Sequence, residues 1–463
     1  MQRLGSSFRD PAGFLFRDGG TLLRQVNQEY AADYDLLMGS GLYDALTAGG
    51  MLVRHHEVAP PFSGPDADGA YRVLQPELVP FVSYPCEWCF GELRDAALLT
   101  LRIQDAALDH GMTLKDASAF NIQFSGGAPV LIDTLSFAAY RAGEPWIAYR
   151  QFCQHFLAPL LLMSAVDARL GGLWRAHLDG VPLDLASRLL PRGSWLRPGV
   201  MLHVHLHARS LARHADTAIE TGPQSPTMMS LTALRGLVDS LRSTVQGLRW
   251  EPAGTEWADY VATRRYSAQA VEAKAALVRE YLASVQPAPR TVWDLGANTG
   301  EFSRVAAETG AYVVAFDADA AAVERNYRAV RAEGTSSILP LVLDLTNPTP
   351  GLGWAGEERD AWLRRGPADV VMALALVHHL AIGNNVPLES VARLLAEAGR
   401  TLLIEWVPKE DEQVRRLLRS RTDVFPGYTR EGFEAAFATR FRTLRSDAIQ
   451  GSERRMYLME RAG

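Results

Sequence analysis

The stretch Val292-Trp-Asp-Leu-Gly-Ala-Asn-Thr-Gly-Glu-Phe302 decides the fold of the second half of this protein. It predicts an apolar strand that runs into the turn Asp-x-Gly-x-Asn-x-Gly and then directly into a helix. Glycine lets a backbone approach a ligand closely, and the N-terminus of the following helix offers free N–H groups beside it. Because tight strand-to-helix turns also need glycine for local reasons, the turn gains meaning only from the sequence around it.

Strand and helix patterns alternate on both sides of that turn. The sequence predicts strands at Thr291–Leu295, Ala311–Phe316, Ile338–Leu343, Ala368–Leu374 and Thr401–Glu405, and two weaker ones at Phe441–Ser446 and Glu453–Met459. It predicts helices at Ala268–Val285, from Glu301, and at Ala320–Ala332, Leu388–Ala398 and Glu412–Ser420. Short apolar strands that alternate with helices indicate a parallel sheet covered on both faces. The fold class is therefore α/β: a doubly wound, seven-stranded Rossmann-like domain with an antiparallel edge, preceded by an α+β domain.

Acidic residues follow the next two strands. Asp317 ends the second strand about 20 residues after the turn, where doubly wound folds place the group that holds a ribose diol. Asp344 follows the third strand. A dinucleotide-binding turn would read Gly-x-Gly-x-x-Gly, whereas this chain has Gly-x-Asn-x-Gly-Glu-Phe.

Residues 256–463 resemble a class I S-adenosylmethionine-dependent methyltransferase through the ordered set Asp294/Gly296, Asp317 and Asp344. The resemblance implies that Gly296, Asn298 and Gly300 lie against the methionine part of the cofactor. It also implies that Asp317 holds the ribose hydroxyls and that Asp344 accepts the adenine amino group. A Rossmann-like domain that binds a nucleotide without methyl transfer is the alternative.

The whole chain also resembles a group of two-part bacterial methyltransferases related to nodulation proteins. This resemblance rests on segments in both halves: Phe8–Phe14, Leu23–Asn27, Tyr34–Tyr43, Asp116–Asn121 and Ala375–Leu380. It supports methyl transfer and does not define the acceptor.

Candidate catalytic residues end the fourth and fifth strands, at the edge where open α/β sheets bind ligands. His378 and His379 suit proton removal near neutral pH, and Glu405 is the next candidate base. The alternative is that one imidazole packs over the cofactor and the other caps a turn. Methyl transfer is an in-line displacement, so alignment without a base is a further alternative.

Three residues before the first strand are candidates for a cover over the cofactor: Tyr260, Tyr266 and Lys274. Methyltransferases of this class often place a lid there, so the resemblance implies cofactor contacts for Tyr266 and Lys274. The ammonium of Lys274 would meet the carboxylate of the cofactor. A lysine on the surface of a helix is the plainer interpretation.

The first half contains Asp116, Asn121 five positions later, and Asp133 at the end of a strand. In kinase-like enzymes this order supplies a catalytic Asp, a Mg²⁺-binding Asn and a Mg²⁺-binding Asp, and the segment resembles the catalytic loop of small-molecule kinases. The preceding hairpin Gly13–Val26 offers Arg24 but no lysine to position phosphate, and no glycine-rich phosphate loop is visible. We therefore expect a kinase-like scaffold that has lost phosphotransfer; coincidence of turn-forming residues is the alternative.

Metal binding is not predicted. Cys86 and Cys89 have zinc-like spacing, but buried structural cysteine is commoner. The segment His203-Val-His-Leu-His207 alternates like a strand or extended segment, which is more often a solvated edge than a chelate.

Composition bounds the remaining possibilities. The chain has 463 residues, 48% of them hydrophobic, and a formal net charge of −6, which argues against a nucleic-acid partner held by bulk charge. The absence of a long apolar run predicts a cytoplasmic protein without a membrane anchor. We divide the chain into 1–245 and 246–463, near the Pro/Gly break at 250–255. The sequence does not indicate an oligomeric state.

These features together predict methyl transfer from S-adenosylmethionine to an oxygen or nitrogen atom of a small molecule or biosynthetic intermediate. The first half would help to bind the acceptor. The alternatives are a regulatory protein that docks a partner and senses the cofactor, and a bifunctional kinase-methyltransferase.

Overall fold

The computed structural model describes residues 2–60, 62, 64–211, 228–252, 268–419 and 422–462. The chain divides into two compact units. The first consists of Met1–Glu251 with Leu352–Arg359, and the second of Pro252–Gly351 with Asp360–Gly463. The short segment 352–359 therefore groups with the first unit, although it lies between two stretches of the second in sequence.

The first unit combines an antiparallel five-stranded sheet, in the order β1-β2-β3-β5-β4, with two small β-pairs, β6-β9 and β7-β8. Its strands are β1 (Gln2–Arg3), β2 (Gly13–Asp18), β3 (Thr21–Asn27), β4 (His55–Glu57), β5 (Ala70–Pro76), β6 (Met112–Leu114), β7 (Ile122–Ser125), β8 (Ala128–Leu131) and β9 (Phe137–Ala139). Its α-helices are α1 (Ala31–Gly39), α2 (Leu42–Ala48), α3 (Phe90–Asp109), α4 (Tyr149–Phe152), α5 (Ala158–Ala165), α6 (Leu183–Leu189), α7 (Pro198–Val200) and α8 (Leu231–Gly247). The predicted hairpin is confirmed, because β2 pairs with β3 from Gly13↔Val26 to Asp18↔Thr21.

One expectation for this unit is wrong. The segment around His203 is not extended, because Met201–Leu206 forms a π-helical turn. The imidazoles of His203 and His205 are fully buried. Each ring nitrogen of His203 lies within hydrogen-bonding distance of a hydroxyl, that of Tyr149 at 2.9 Å and that of Ser240 at 2.9 Å. The alternation of polar residues therefore reflects imidazoles that find hydroxyl partners in the core, not a solvated edge.

The second unit is a seven-stranded sheet in the order β12-β11-β10-β13-β14-β16-β15. Its strands are β10 (Thr291–Leu295), β11 (Tyr312–Asp317), β12 (Ile338–Val342), β13 (Ala368–Ala373), β14 (Gly399–Trp406), β15 (Phe441–Ala448) and β16 (Arg455–Arg461). Its α-helices are α9 (Ala268–Ser284), α10 (Glu301–Ala307), α11 (Ala320–Glu333), α12 (Leu388–Ala398), α13 (Glu412–Leu418) and α14 (Arg430–Ala438). Strands β10 to β14 pair in parallel, and β16 runs antiparallel to both of its neighbours.

The prediction of a doubly wound α/β sheet with an antiparallel edge is confirmed for this unit. Each of the seven predicted strands is present, with ends that differ by no more than two residues. The sheet forms because its central strands are apolar on both faces: Val292 and Leu295 of β10 and Val370 of β13 are fully buried. The predicted end of the helix from Glu412, at Ser420, lies outside the described residues.

Among the described residues, no helix is both long enough and apolar enough to cross a bilayer.

Candidate functional site

The turn after β10 has a backbone that only certain residues adopt easily. Gly296, Asn298 and Gly300 have φ values of +75°, +51° and +79°. At Gly300 a Cβ atom would lie 2.4 Å from the side-chain oxygen of Asn326, so a larger residue would be both strained and obstructed. The glycine at this position therefore serves close packing of the turn against α11.

Asp317, at the end of β11, holds the turn in place. Its Oδ2 accepts a hydrogen bond from the backbone N–H of Asn298 at 2.8 Å, and its Oδ1 accepts one from the N–H of Asp319 at 2.8 Å. Burial raises the pKa of Asp317 to about 6, although these N–H donors oppose the rise. A carboxylate oxygen can accept two hydrogen bonds, and each oxygen of Asp317 accepts one from these N–H groups, so each retains capacity for one more donor.

Asp294 and Asp344 flank this group. The carboxylate of Asp294 is buried and accepts a hydrogen bond from the hydroxyl of Ser303 at 2.6 Å. Burial raises the pKa of Asp294 to about 6. Asp344 is exposed, and its Oδ1 accepts hydrogen bonds from the backbone N–H and hydroxyl of Thr346 at 2.8 and 2.7 Å.

A cavity of about 370 Å³ lies within the second unit, in the size range of small-molecule sites. It brings together most of the predicted site residues: Lys274, Asp294, Gly296, Asn298, Asp317, Asp344 and His379. Gly300, His378 and Glu405 do not line it. Tyr260 and Tyr266 lie outside the described residues, so the contact proposed for Tyr266 stays a prediction.

The two histidines after β13 differ in their surroundings. Their ring centroids lie 4.0 Å apart, and the π-helical turn His379–Gly383 begins at the second of them. Burial, with the charge of Arg454, lowers the pKa of His379 to about 4. His378 is almost fully buried, and neither of its ring nitrogens has a hydrogen-bond partner. Burial also lowers the pKa of His378, so both imidazoles are neutral at pH 7.

Glu405, at the end of β14, is enclosed between two cations. It is fully buried, with Oε2 at 2.6 Å from Nζ of Lys274 and Oε1 at 3.1 Å from Nη1 of Arg454. Burial raises the pKa of Glu405, but the charges of Lys274 and Arg454 outweigh that effect and hold it below its usual value. Arg454 is bound in turn by Asp411, whose carboxylate caps α13.

This network corrects the plainer interpretation of Lys274. The residue is not on a helix surface: it is 8% exposed, and its Nζ also lies 4.3 Å from the centre of the Phe302 ring. Sequence reasoning missed Arg454 altogether, although it lines the cavity. The local sequence does not distinguish Arg454 from the adjacent Arg455. Arg454 contacts Glu405 because β16 pairs with β14, and this pairing is not visible in the local sequence.

The kinase-like triplet of the first unit also comes together. Nδ2 of Asn121 donates to Oδ2 of Asp116 at 3.0 Å and to the hydroxyl oxygen of Ser136 at 3.3 Å. The hydroxyl of Ser136 donates in turn to Oδ2 of Asp133 at 2.7 Å. Arg24, on β3, lies 2.7 Å from Oδ1 of Asp133. The three predicted residues are thus joined by a continuous chain of hydrogen bonds.

The described residues contain no group of three or more His, Cys, Asp and Glu side chains arranged to hold a metal ion. Cys86, Cys89 and Cys153 are buried. Burial raises the pKa of the Cys153 thiol.

Comparison with known proteins places this geometry in a family. Residues 265–440 match the model of a methyltransferase domain. The nodulation protein NoeA of Rhizobium meliloti (strain 1021) is 37% identical over 464 residues, which cover 99% of this chain and 96% of that protein. This chain belongs to the NoeA family. With its methyltransferase domain, this NoeA-family protein is an S-adenosylmethionine-dependent methyltransferase.

Solved structures show weaker similarity. The N-methyltransferase NodS from Bradyrhizobium japonicum WM9 is 12% identical, with 42% of this chain and 99% of that chain covered and a TM-score of 0.32. The bifunctional kinase-methyltransferase WbdD is 15% identical, with a TM-score of 0.31. That match covers 44% of this chain and 41% of WbdD, less than half of its length. Similarity at this level adds nothing to the assignment.

Proposed function

We propose that this NoeA-family protein transfers the methyl group of S-adenosylmethionine to an oxygen or nitrogen atom of a small-molecule acceptor. One observation carries the proposal: the glycine-containing turn, three strand-end carboxylates and a neutral imidazole all line a single cavity of about 370 Å³. The family fixes the reaction, and the acceptor atom is our inference. Open α/β sheets bind ligands at the carboxyl ends of their strands, where all of these groups lie.

The cavity residues fit this cofactor chemically. In this proposal Asp317 accepts the two ribose hydroxyls, since each of its oxygens retains capacity for one donor. Asp344 accepts the adenine amino group through its exposed carboxylate. Gly296 and Asn298 lie beside the methionine part, and Asp294, which lines the same cavity, accepts a hydrogen bond from Ser303 on α10. When bound, the cofactor supplies an electrophilic methyl group.

His379 is the proposed base. It lines the cavity, and its neutral imidazole is able to accept the proton of the acceptor group. His378 does not line the cavity, and we assign it to packing beneath its neighbour. Glu405 we assign as the counter-ion of Lys274 and Arg454, because it does not line the cavity and each of its oxygens faces one of these two cations.

For the first unit we propose a kinase-like scaffold that helps to bind the acceptor. The chain of hydrogen bonds from Asp116 through Asn121 and Ser136 to Asp133 supports this scaffold. Mass spectrometry of ligands released from the purified full chain would test the assignment. A bound small molecule whose mass rises by one methyl group on incubation with the cofactor would identify the acceptor.

Replacement of Asp317 tests the proposed cofactor site. In Asp317→Ala the demethylated cofactor should bind the full chain more weakly by about 1.5–3 kcal/mol, the scale of hydrogen bonds to a charged group. Isothermal titration calorimetry measures the difference. The exposed Asp68→Ala in the first unit loses the same charge and should bind as the wild type does. An unchanged affinity in Asp317→Ala, or no binding heat with the wild type, would refute the site.

A further inference from the structure

Arg24, on β3, neutralises the buried carboxylate of Asp133, which lies just after β8. Nη2 of Arg24 lies 2.7 Å from Oδ1 of Asp133 and 3.5 Å from Oδ2 of Asp10. The side chains of Arg24 and Asp133 are 13% and 12% exposed. A buried carboxylate needs a counter-charge, and arginine keeps its charge at every pH at which a protein folds.

Hydrogen-bond donors also occupy the remaining oxygen atoms. Asp133 accepts from the N–H of Leu135 at 3.1 Å and from the hydroxyl of Ser136 at 2.7 Å. Asp116 accepts from the N–H of Ser118 at 2.9 Å and from Nε2 of Gln151 at 2.7 Å.

Asn121 completes this arrangement with its side-chain amide. It turns its amide nitrogen, not its oxygen, toward both Asp116 and Ser136. Mg²⁺ binds oxygen atoms in near-octahedral geometry, and an N–H group cannot serve as a ligand. A side-chain amide can turn over, so the main obstacle is the guanidinium of Arg24, whose positive charge beside Asp133 repels a second cation. With Arg24 in place, the cluster that sequence spacing relates to a Mg²⁺ site does not fit Mg²⁺.

We infer that the guanidinium of Arg24 is the built-in cation of this cluster, so that the first unit needs no divalent cation there. A latent metal site follows from the same geometry. Removal of Arg24 leaves two carboxylates, Asp10 and Asp133, that had shared one nitrogen atom. Their mutual repulsion is then relieved by a divalent cation of the hard, oxygen-binding class.

Titration of the full chain with Mn²⁺, followed by electron paramagnetic resonance of the free ion, tests this inference. We expect Arg24→Ala to bind one Mn²⁺ with a Kd of about 10⁻⁴–10⁻³ M, the range of weak carboxylate sites. The wild type should bind at least tenfold more weakly. The double variant Arg24→Ala/Asp133→Asn should lose the gained site. Arg17→Ala, which removes an exposed arginine from the same hairpin, should behave as the wild type does.

When the variants fold, two results would overturn the inference. The first is wild-type Mn²⁺ binding that disappears in Asp133→Asn, because it would show that a metal already uses the cluster. The second is a folded Arg24→Ala that gains no site. If Arg24→Ala does not fold in EDTA, recovery of a cooperative melt on addition of Mn²⁺ supports the inference, and failure to recover contradicts it. Neither result depends on methyl transfer.

Discussion

The two units use strand-end carboxylates in opposite ways. In the second unit Asp294, Asp317 and Asp344 all line one cavity. In the first unit the carboxylates of Asp116 and Asp133 are joined to each other by hydrogen bonds through Asn121 and Ser136, and Arg24 neutralises Asp133. Similar residues at the ends of strands thus form an open set in one unit and a closed set in the other. We expect the open set to bind ligand and the closed set to hold loops together.

Replacement of His379 should have the largest effect, because it removes the proposed base from the cavity that the open set lines. In His379→Ala we expect turnover to fall by about 10²–10⁴-fold, the usual contribution of a general base. Affinity for the demethylated cofactor should stay nearly unchanged. Steady-state kinetics and calorimetry on the same preparation measure the two quantities.

His378→Ala is the matched comparison, since it removes the neighbouring imidazole that does not line the cavity. It should lower thermal stability and have a smaller effect on turnover, as expected for a buried packing residue. If His379→Ala lost cofactor binding in parallel with turnover, the residue would have a packing role. A double variant with full activity would exclude both residues as the base.

Glu405 tests whether the role of a carboxylate depends on its bonding partners or on the unit in which it lies. Both of its oxygens face cations of the protein, as in the closed set, yet it belongs to the second unit. Glu405→Gln should lower the free energy of unfolding by about 3–5 kcal/mol, since it leaves Lys274 and Arg454 without their shared counter-ion. The shift of the urea midpoint measures the loss. Glu397→Gln, an exposed change on α12, is the control. A midpoint shift no larger than that of the control would show that Glu405 is not held as a counter-ion.

Much of the second unit was predictable because its signals are local. Apolar strands, glycine at the turn and an acidic residue after β11 are all readable within short windows, and the seven strands follow from them. Asp317 could be singled out for the same reason. Its position depends only on the strand in which it lies and on the turn beside it.

The remaining features depend on partners that are distant in sequence. Arg454 reaches Glu405 only because β16 pairs with β14, and Arg24 meets Asp133 across more than a hundred residues. The sequence predicts an extended segment at His203, and this prediction is wrong because the hydroxyls that hydrogen-bond to the buried imidazole of His203 come from other helices. The sequence pattern shows which positions are polar, but it does not show which residues will form hydrogen bonds with them.

The pH dependence of cofactor binding should show the smallest effect and is the most specific test of the open set. Burial raises the pKa of Asp317 to about 6, so the ligand-free protein takes up a proton there as the pH falls from about 7 to 5. Folding therefore favours the protonated form of Asp317. The stability that this proton uptake contributes is lost as the pH rises through about 6. Ribose hydroxyls donate to the carboxylate, so the ligand binds the deprotonated form.

Affinity for the demethylated cofactor should therefore rise between about pH 5 and 7, by at most about tenfold per pH unit, and then level off. Calorimetry across this range measures the slope. Asp317→Asn should flatten it. Asp294→Asn should retain most of it, because that carboxylate is satisfied by Ser303 even though burial raises its pKa to about 6 as well. If the slope survived in Asp317→Asn and vanished in Asp294→Asn, the titrating group would be Asp294. The assignment of Asp317 to the ribose would then have to be given up.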